Sequence, residues 1–315
     1  MSLFNSEKIT IGMPMGLMTH RYGFVWKKFW EELGADVLVG EPTNREIMQR
    51  GEKLAGDEMC LSVKIFLGQV ETLIGKCDYI MIPRISNYGV RRYMCSTFEA
   101  LPDLVRTIFE RSNQKYVVWN VDIEKKLTEE KAYVKMAADA GFGAGEARRA
   151  CRKARKAEEK RWSEIVSRTE KQYKEGDFRI LLMGHSYVTE DAYIGEPVIK
   201  ILKEQGATVI RADQVDRKRA IKDSAKVSPT LKWELSRELT GSLLEHWRNI
   251  DGIVILSVYP CNLDSMTTEM MIRKMKNSEV PMLNLVLDSQ TGIAGIETRI
   301  ESFADIVKMR KGQPI

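Results

Sequence analysis

The sequence predicts an α/β fold, with two parallel-sheet domains separated by a helical stretch. Three observations carry that expectation. Short apolar runs alternate with amphipathic helical patterns from Lys8 to Trp119, the alternation vanishes between about residues 124 and 176, and it restarts at Phe178. The expected organisation is therefore an N-terminal α/β domain over 1–124, a helical connector over 125–176 and a C-terminal α/β domain over 177–315. A chain of 315 residues also exceeds one ordinary core, which agrees with two.

Residues 8–14 read as the first strand, and residues 24–33 carry the Phe/Trp spacing of an amphipathic helix that Gly34 ends. Residues 36–39 form a second strand. Helices follow near 44–54 and from about 61 to 74, then a strand at 79–82. After a loop holding Cys95, residues 103–111 are expected to be helical and 116–119 a strand. Lys, Arg, Glu and Ala dominate the middle stretch, which reads as two helices broken near Gly141-Phe142-Gly143. In the last part, strands are expected at 179–183, 208–210, 253–258 and 282–287. Helices are expected at 194–205, where Gly206 stops the chain, and at 231–247, 265–276 and 299–309. Ligands of such sheets bind beyond the carboxyl ends of the strands.

Composition narrows the function. The hydrophobic fraction of 43% supports a packed core, and the longest apolar runs, such as Ile253-Val254-Ile255-Leu256, fall far short of the roughly 20 residues that cross a bilayer. No membrane span is expected. Met1-Ser2-Leu3-Phe4-Asn5 lacks the charged start and apolar core of an export signal, so a cytoplasmic location is expected. Net charge is +5, but 49 basic and 44 acidic residues are interspersed, which argues against a nucleic-acid binder. Five cysteines in a reducing compartment stay thiols or bind metal.

Three of those cysteines are the best candidates for chemistry. Cys60 lies at the expected start of a helix in Asp57-Glu58-Met59-Cys60-Leu61, and Cys261 lies between a strand and a helix in Tyr259-Pro260-Cys261-Asn262. Both positions offer unpaired backbone N–H groups and the positive end of a helix dipole, which favour thiolate and suit an anionic metal–sulfur centre. Cys95 follows a strand through a loop, so all three could line one cleft. Free cysteine is equally a small buried filler, and no pair has the Cys-x-x-Cys spacing that makes a zinc or ferredoxin site specific. Cys77 and Cys151 read as structural.

These segments together resemble the 2-hydroxyacyl-CoA dehydratase component superfamily, in particular its stand-alone branch of CoA-substrate-specific enzyme activase-related proteins. The resemblance rests on Ile11-Gly12-Met13-Pro14, Glu41-Pro42-Thr43-Asn44 and Gly184-His185-Ser186-Tyr187, with residues 22–34, 57–68, 79–84, 95–103, 251–269 and 287–303. It implies two flavodoxin-like, Rossmann-like domains with an iron–sulfur cluster between them, its cysteine ligands falling on Cys60, Cys95 and Cys261. Three thiolates on a [4Fe-4S] cube would leave one iron open to another ligand. A double cubane taking three thiolates per cube would need six, and this chain has five cysteines. The resemblance further implies an anaerobic, ATP-dependent electron supply from a separate ATP-hydrolysing activator, and an acyl-CoA or other small substrate. Two departures stand out: Asn262-Leu263 replaces a common Gly-Pro, and Ser186 replaces a common Pro.

Other residues compete with the cysteines for a role. His185 ends a strand and is expected to face the same cleft as proton donor or hydrogen-bond partner, with helix capping as the bland alternative. His20 has a weaker case, and His246 reads as a helix-surface residue. Asp57 and Glu58 are either acid–base groups or carboxylates complementing a helix dipole. Gly141-Phe142-Gly143-Ala144-Gly145 follows no strand and has Glu146 where a final glycine is needed, so it is no dinucleotide loop. Walker spacing is absent, which assigns any ATP hydrolysis to another protein. Eight basic residues between Arg148 and Arg161 read first as a solvated helix face, second as a dock for an acidic partner or a CoA phosphate. The competing functions are an iron–sulfur electron-transfer or reductive component, a non-catalytic scaffold that binds a cluster or small ligand, and a zinc or metal-free relative. Pairing of two copies into a homodimer stays open.

Overall fold

A computed structural model describes residues 8–312; the five N-terminal residues behind the expectation of no export lie outside them. The first half runs β1 (Thr10–Met13), α1 (Thr19–Glu32), β2 (Asp36–Val39), α2 (Arg45–Leu54), α3 (Leu61–Leu73), β3 (Tyr79–Asn87), α4 (Ser96–Ile108) and β4 (Lys115–Asp122). Its sheet has the order β2-β1-β3-β4, all parallel. Two helices follow, α5 (Glu129–Asp139) and α6 (Ala144–Glu175), with Gly141 at φ +92° turning the chain between them. The second half runs β5 (Arg179–Met183), α7 (Ser186–Thr189), α8 (Gly195–Glu204), β6 (Thr208–Arg211), α9 (Arg217–Asp223), α10 (Glu234–His246), β7 (Gly252–Val258), α11 (Asn262–Met275), β8 (Met282–Leu287) and α12 (Ile293–Arg310). Its sheet, β6-β5-β7-β8, is also entirely parallel. The fold is α/β with two parallel sheets, as the alternating pattern predicts.

The strands are short apolar runs because each sheet is covered on both faces, so the usual polar alternation gives way; every residue of β7 is buried. In α1 the buried Val25, Trp26, Phe29 and Trp30 recur at helical spacing and pack with Trp119 and Tyr133. Helix α6 buries Ala147, Ala150, Cys151 and Ala154 in the same core, and Tyr173 near its far end joins the core of the second sheet.

Among the elements that differ from expectation, three have a clear place in the fold. Helix α4 starts at Ser96, seven residues earlier than expected, because Pro102 sits inside the helix and does not begin it. Helix α9 was unforeseen; Asp216 caps it by accepting from the backbone N–H groups of Lys218 and Arg219. Helix α12 begins at Ile293, six residues early.

Helices α2 and α3 cross where only glycine fits. A β-carbon on Gly51 would lie 1.7 Å from the Lys64 carbonyl oxygen, and one on Gly68 would lie 2.1 Å from that of Ile47. Gly51→Ala must therefore push α3 away and is expected to cost about 3 kcal/mol of stability in urea unfolding. Gly295→Ala in α12 meets nothing within 4 Å and is expected to stabilise by roughly 0.5 kcal/mol. Equal effects at the two sites would refute the close crossing.

Candidate metal centre

Parallel strands deliver their carboxyl ends to one edge, and in each sheet the connections reverse direction between the two central strands. In the first sheet that switch point lies between β1 and β3, in the second between β5 and β7. The chain leaving β1 leads to Leu17, that leaving β3 leads to Cys95, that leaving β5 leads to His185, and that leaving β7 leads to Cys261. All four residues line a single cavity, together with Cys60 from the turn between α2 and α3. Cys77 and Cys151 are not among its walls.

The three cysteines share one local setting. Cys60 is the N-cap of α3, Cys95 of α4 and Cys261 of α11. Each cysteine thus stands at a helix start, where the first N–H groups have no partner within the helix. The sequence identified this for Cys60 and Cys261 but placed Cys95 in a loop, since the early turns of α4 were missed.

Burial works against the thiolate. It is the largest influence on Cys60, whose pKa is pushed up to about 11 although the N–H groups of Val63 and Ser62 pull the other way. Cys261 is raised further, by burial and then by the neighbouring Asp264 carboxylate. The expected preference for free thiolate is therefore corrected: without a cation, these two side chains are thiols.

His185 and Asp264 form a buried pair in the cavity wall, with Nε2 2.8 Å from Oδ1. Burial favours the neutral imidazole, but the Asp264 charge and hydrogen bond outweigh it and hold the His185 pKa above its ordinary value. Asp264, in turn, is held below the usual carboxylate range by His185 despite its own burial. Tyr187 stacks on His185 with ring centroids 5.1 Å apart, and Phe98 meets Tyr187 edge-on. Asp264 escaped the sequence reading; its signal was a carboxylate three residues after Cys261, in the first turn of α11. Asp57 and Glu58 are exposed and stand outside the cavity walls.

A strap closes one side. Tyr93 and Met94, just before Cys95, and Trp233, Leu235 and Ser236 on the second half all line the cavity. The Tyr93 N–H donates to the Lys232 carbonyl and the Glu234 N–H to the Tyr93 carbonyl, each at 2.9 Å. Arg92 forks onto the buried Glu234, and the Arg91 side chain donates to the Pro229 carbonyl.

The other two histidines lie elsewhere. His20 is buried with neither ring nitrogen hydrogen-bonded, and burial, then Arg211, pushes its pKa down to about 4. His246 is not a free surface residue: it stacks on Tyr173 at 3.8 Å, and burial, then Arg219, lowers it to about 4. Both values lie below the ordinary 6.5, so the unfolded chain takes up these protons first. Stability is expected to fall as pH drops from about 6.5 toward 4. His246→Phe keeps the stack and removes one titration, so its loss of unfolding free energy between pH 7 and 4.5 should be smaller by about 2 kcal/mol. An identical pH slope in urea unfolding would refute this.

Among the described residues no three His, Cys, Asp or Glu side chains stand close enough to hold a single metal ion. The thiols of Cys60, Cys95 and Cys261 line one space without crowding as the ligands of a lone zinc ion do, at about 2.3 Å from the metal. The space itself is about 50 Å³, against about 150 Å³ for an apolar cavity that admits benzene.

Among the described residues no helix is long and apolar enough to cross a membrane. No curated protein matches this chain. One solved structure with similarity is a mutant laminin-binding adhesin from Streptococcus agalactiae, 12% identical, with 96% of this chain and 99% of that one covered. Its TM-score of 0.28 carries no argument about fold or ligand. The family model described as CoA enzyme activase uncharacterised domain matches residues 10–215, a span that includes Cys60, Cys95 and His185 and stops short of Cys261 and Asp264. That match takes in well over half of the 315 residues, and the chain belongs to the CoA enzyme activase uncharacterised-domain family.

Proposed function

We propose that this chain is an iron–sulfur protein of the dehydratase-component type, with Cys60, Cys95 and Cys261 as the three protein ligands of a [4Fe-4S] cluster. The observation that carries the reading is the meeting of three thiols, 35 residues or more apart in sequence, each at a helix start, at the switch points of both sheets. When bound, the cluster would supply one-electron transfer at low potential and an iron open to a further ligand.

The chain's own residues have separate tasks. Ionising Cys60 and Cys261 requires a cation, because burial otherwise keeps their protons in place; metal binding and proton release are thus coupled at this site. The N–H groups that start α3 and α11 ease charge onto the Cys60 and Cys261 sulfurs. His185 keeps a proton at Nε2 against Asp264 beside the cavity, and Leu17, Val63, Phe98 and Leu263 exclude water. The family likeness supports a separate ATP-hydrolysing activator as electron donor, and this chain has no phosphate loop of its own. A second reading, a scaffold that binds a cluster or small ligand without turnover, is favoured by the cavity size, which leaves no room for an acyl-CoA until the strap opens.

Anaerobic purification followed by iron, sulfide and EPR analysis tests the proposal. About four irons and four sulfides per chain are expected. Zinc in place of iron, or no metal in protein reconstituted under reducing conditions, would overturn it.

A further inference from the structure

The middle of α6 presents a cationic stripe that the cluster reading does not use. Arg149, Arg152, Lys153, Lys156 and Lys160 recur at intervals of three and four residues, so they share one exposed face about 17 Å long. The opposite face, with Ala147, Ala150, Cys151 and Ala154, is buried against α1 and α5. Only Lys153 of the five forms an ion pair among the described residues, with Glu32 at 2.7 Å.

Other exposed helix faces of this chain pair opposite charges one turn apart, as in Lys27–Glu31, Lys135–Asp139, Lys200–Glu204 and Arg273–Glu269. On α6 the same spacing sets Arg149 over Lys153, Arg152 over Lys156 and Lys156 over Lys160, where like charges repel. A face that merely contacts water gains nothing from that repulsion; an acidic partner relieves it.

We propose that this stripe docks the acidic surface of another protein. Three features favour a protein over other polyanions. The stripe is finite, with Glu146 before it, Glu159 beside its last lysine and Glu164 beyond it, so a continuous phosphate backbone would run onto carboxylates. The aromatic rings that meet the far end of α6 are already covered: Arg217 lies over Trp162 at 3.6 Å and Arg161 over Phe24 at 5.0 Å. No large apolar side chain of α6 is exposed, as insertion into a lipid surface would require.

Fluorescein-labelled poly-L-glutamate is the probe, titrated with the full chain by anisotropy at about 50 mM salt, where screening is weak. Joint replacement Arg149→Glu, Arg152→Glu and Lys156→Glu should weaken binding at least about tenfold. Lys171→Glu, Lys174→Glu and Arg310→Glu change net charge by the same amount on exposed sites elsewhere, and should leave affinity within about twofold. Equal losses in the two variants would reduce the effect to net charge and overturn the proposal. So would stripe-dependent binding of polyuridylate or phosphatidylserine vesicles that is tighter than binding of polyglutamate. Neither readout needs a cluster, so this inference stands or falls apart from the metal site.

Discussion

Cys261→Ser is expected to leave a folded chain that retains no iron–sulfur chromophore after anaerobic reconstitution, whereas Cys151→Ser keeps its colour and full iron content. The contrast follows from position. Cys261 caps α11 and faces the cavity shared with Cys60 and Cys95, while Cys151 is buried in the core between α6, α1 and α5. Serine is close in volume to cysteine, so the fold should persist in both variants, but an alkoxide forms far less readily than a thiolate and binds iron poorly. Far-UV dichroism separates misfolding from loss of ligand. Full iron content in Cys261→Ser with native dichroism would remove this residue from the ligand set. Colour lost on Cys151→Ser alone would point to a different set.

Arg21→Ala is expected to be the most destabilising single change outside the glycines, at about 3–5 kcal/mol in urea unfolding. Arg21 on α1 and Glu238 on α10 form a forked pair joining the two halves, with Nη1 donating to Oε2 at 2.6 Å and side-chain exposures of 7% and 3%. Removing the guanidinium strands a carboxylate in a site that water does not reach, and that uncompensated charge causes most of the loss. Replacing both partners, Arg21→Met with Glu238→Leu, should recover more than half of it, because no buried charge is left behind. A double variant as unstable as Arg21→Ala would show that packing, not charge, dominates. A loss under about 1 kcal/mol would class the pair with exposed ones.

The amino-acid order alone carried the α/β class, the two runs of parallel strands, the helical segment between them and the candidate cysteines. Those properties are local or periodic: β7 is a continuous apolar run, α1 repeats its Trp and Phe at helical spacing, and glycines at positive φ end or separate helices. Tertiary structure alone decided what meets what. The bonds from Tyr93 to Lys232 and Glu234 span some 140 residues, and the Arg21–Glu238 pair spans 217. No periodicity records such partners, since they arise only when the switch points of two sheets face each other. Asp264 becomes a site residue because His185 reaches it from another strand, and the Cys60 thiol keeps its proton because surrounding side chains exclude water. Spacing along the chain nominates residues; burial and convergence assign their chemistry.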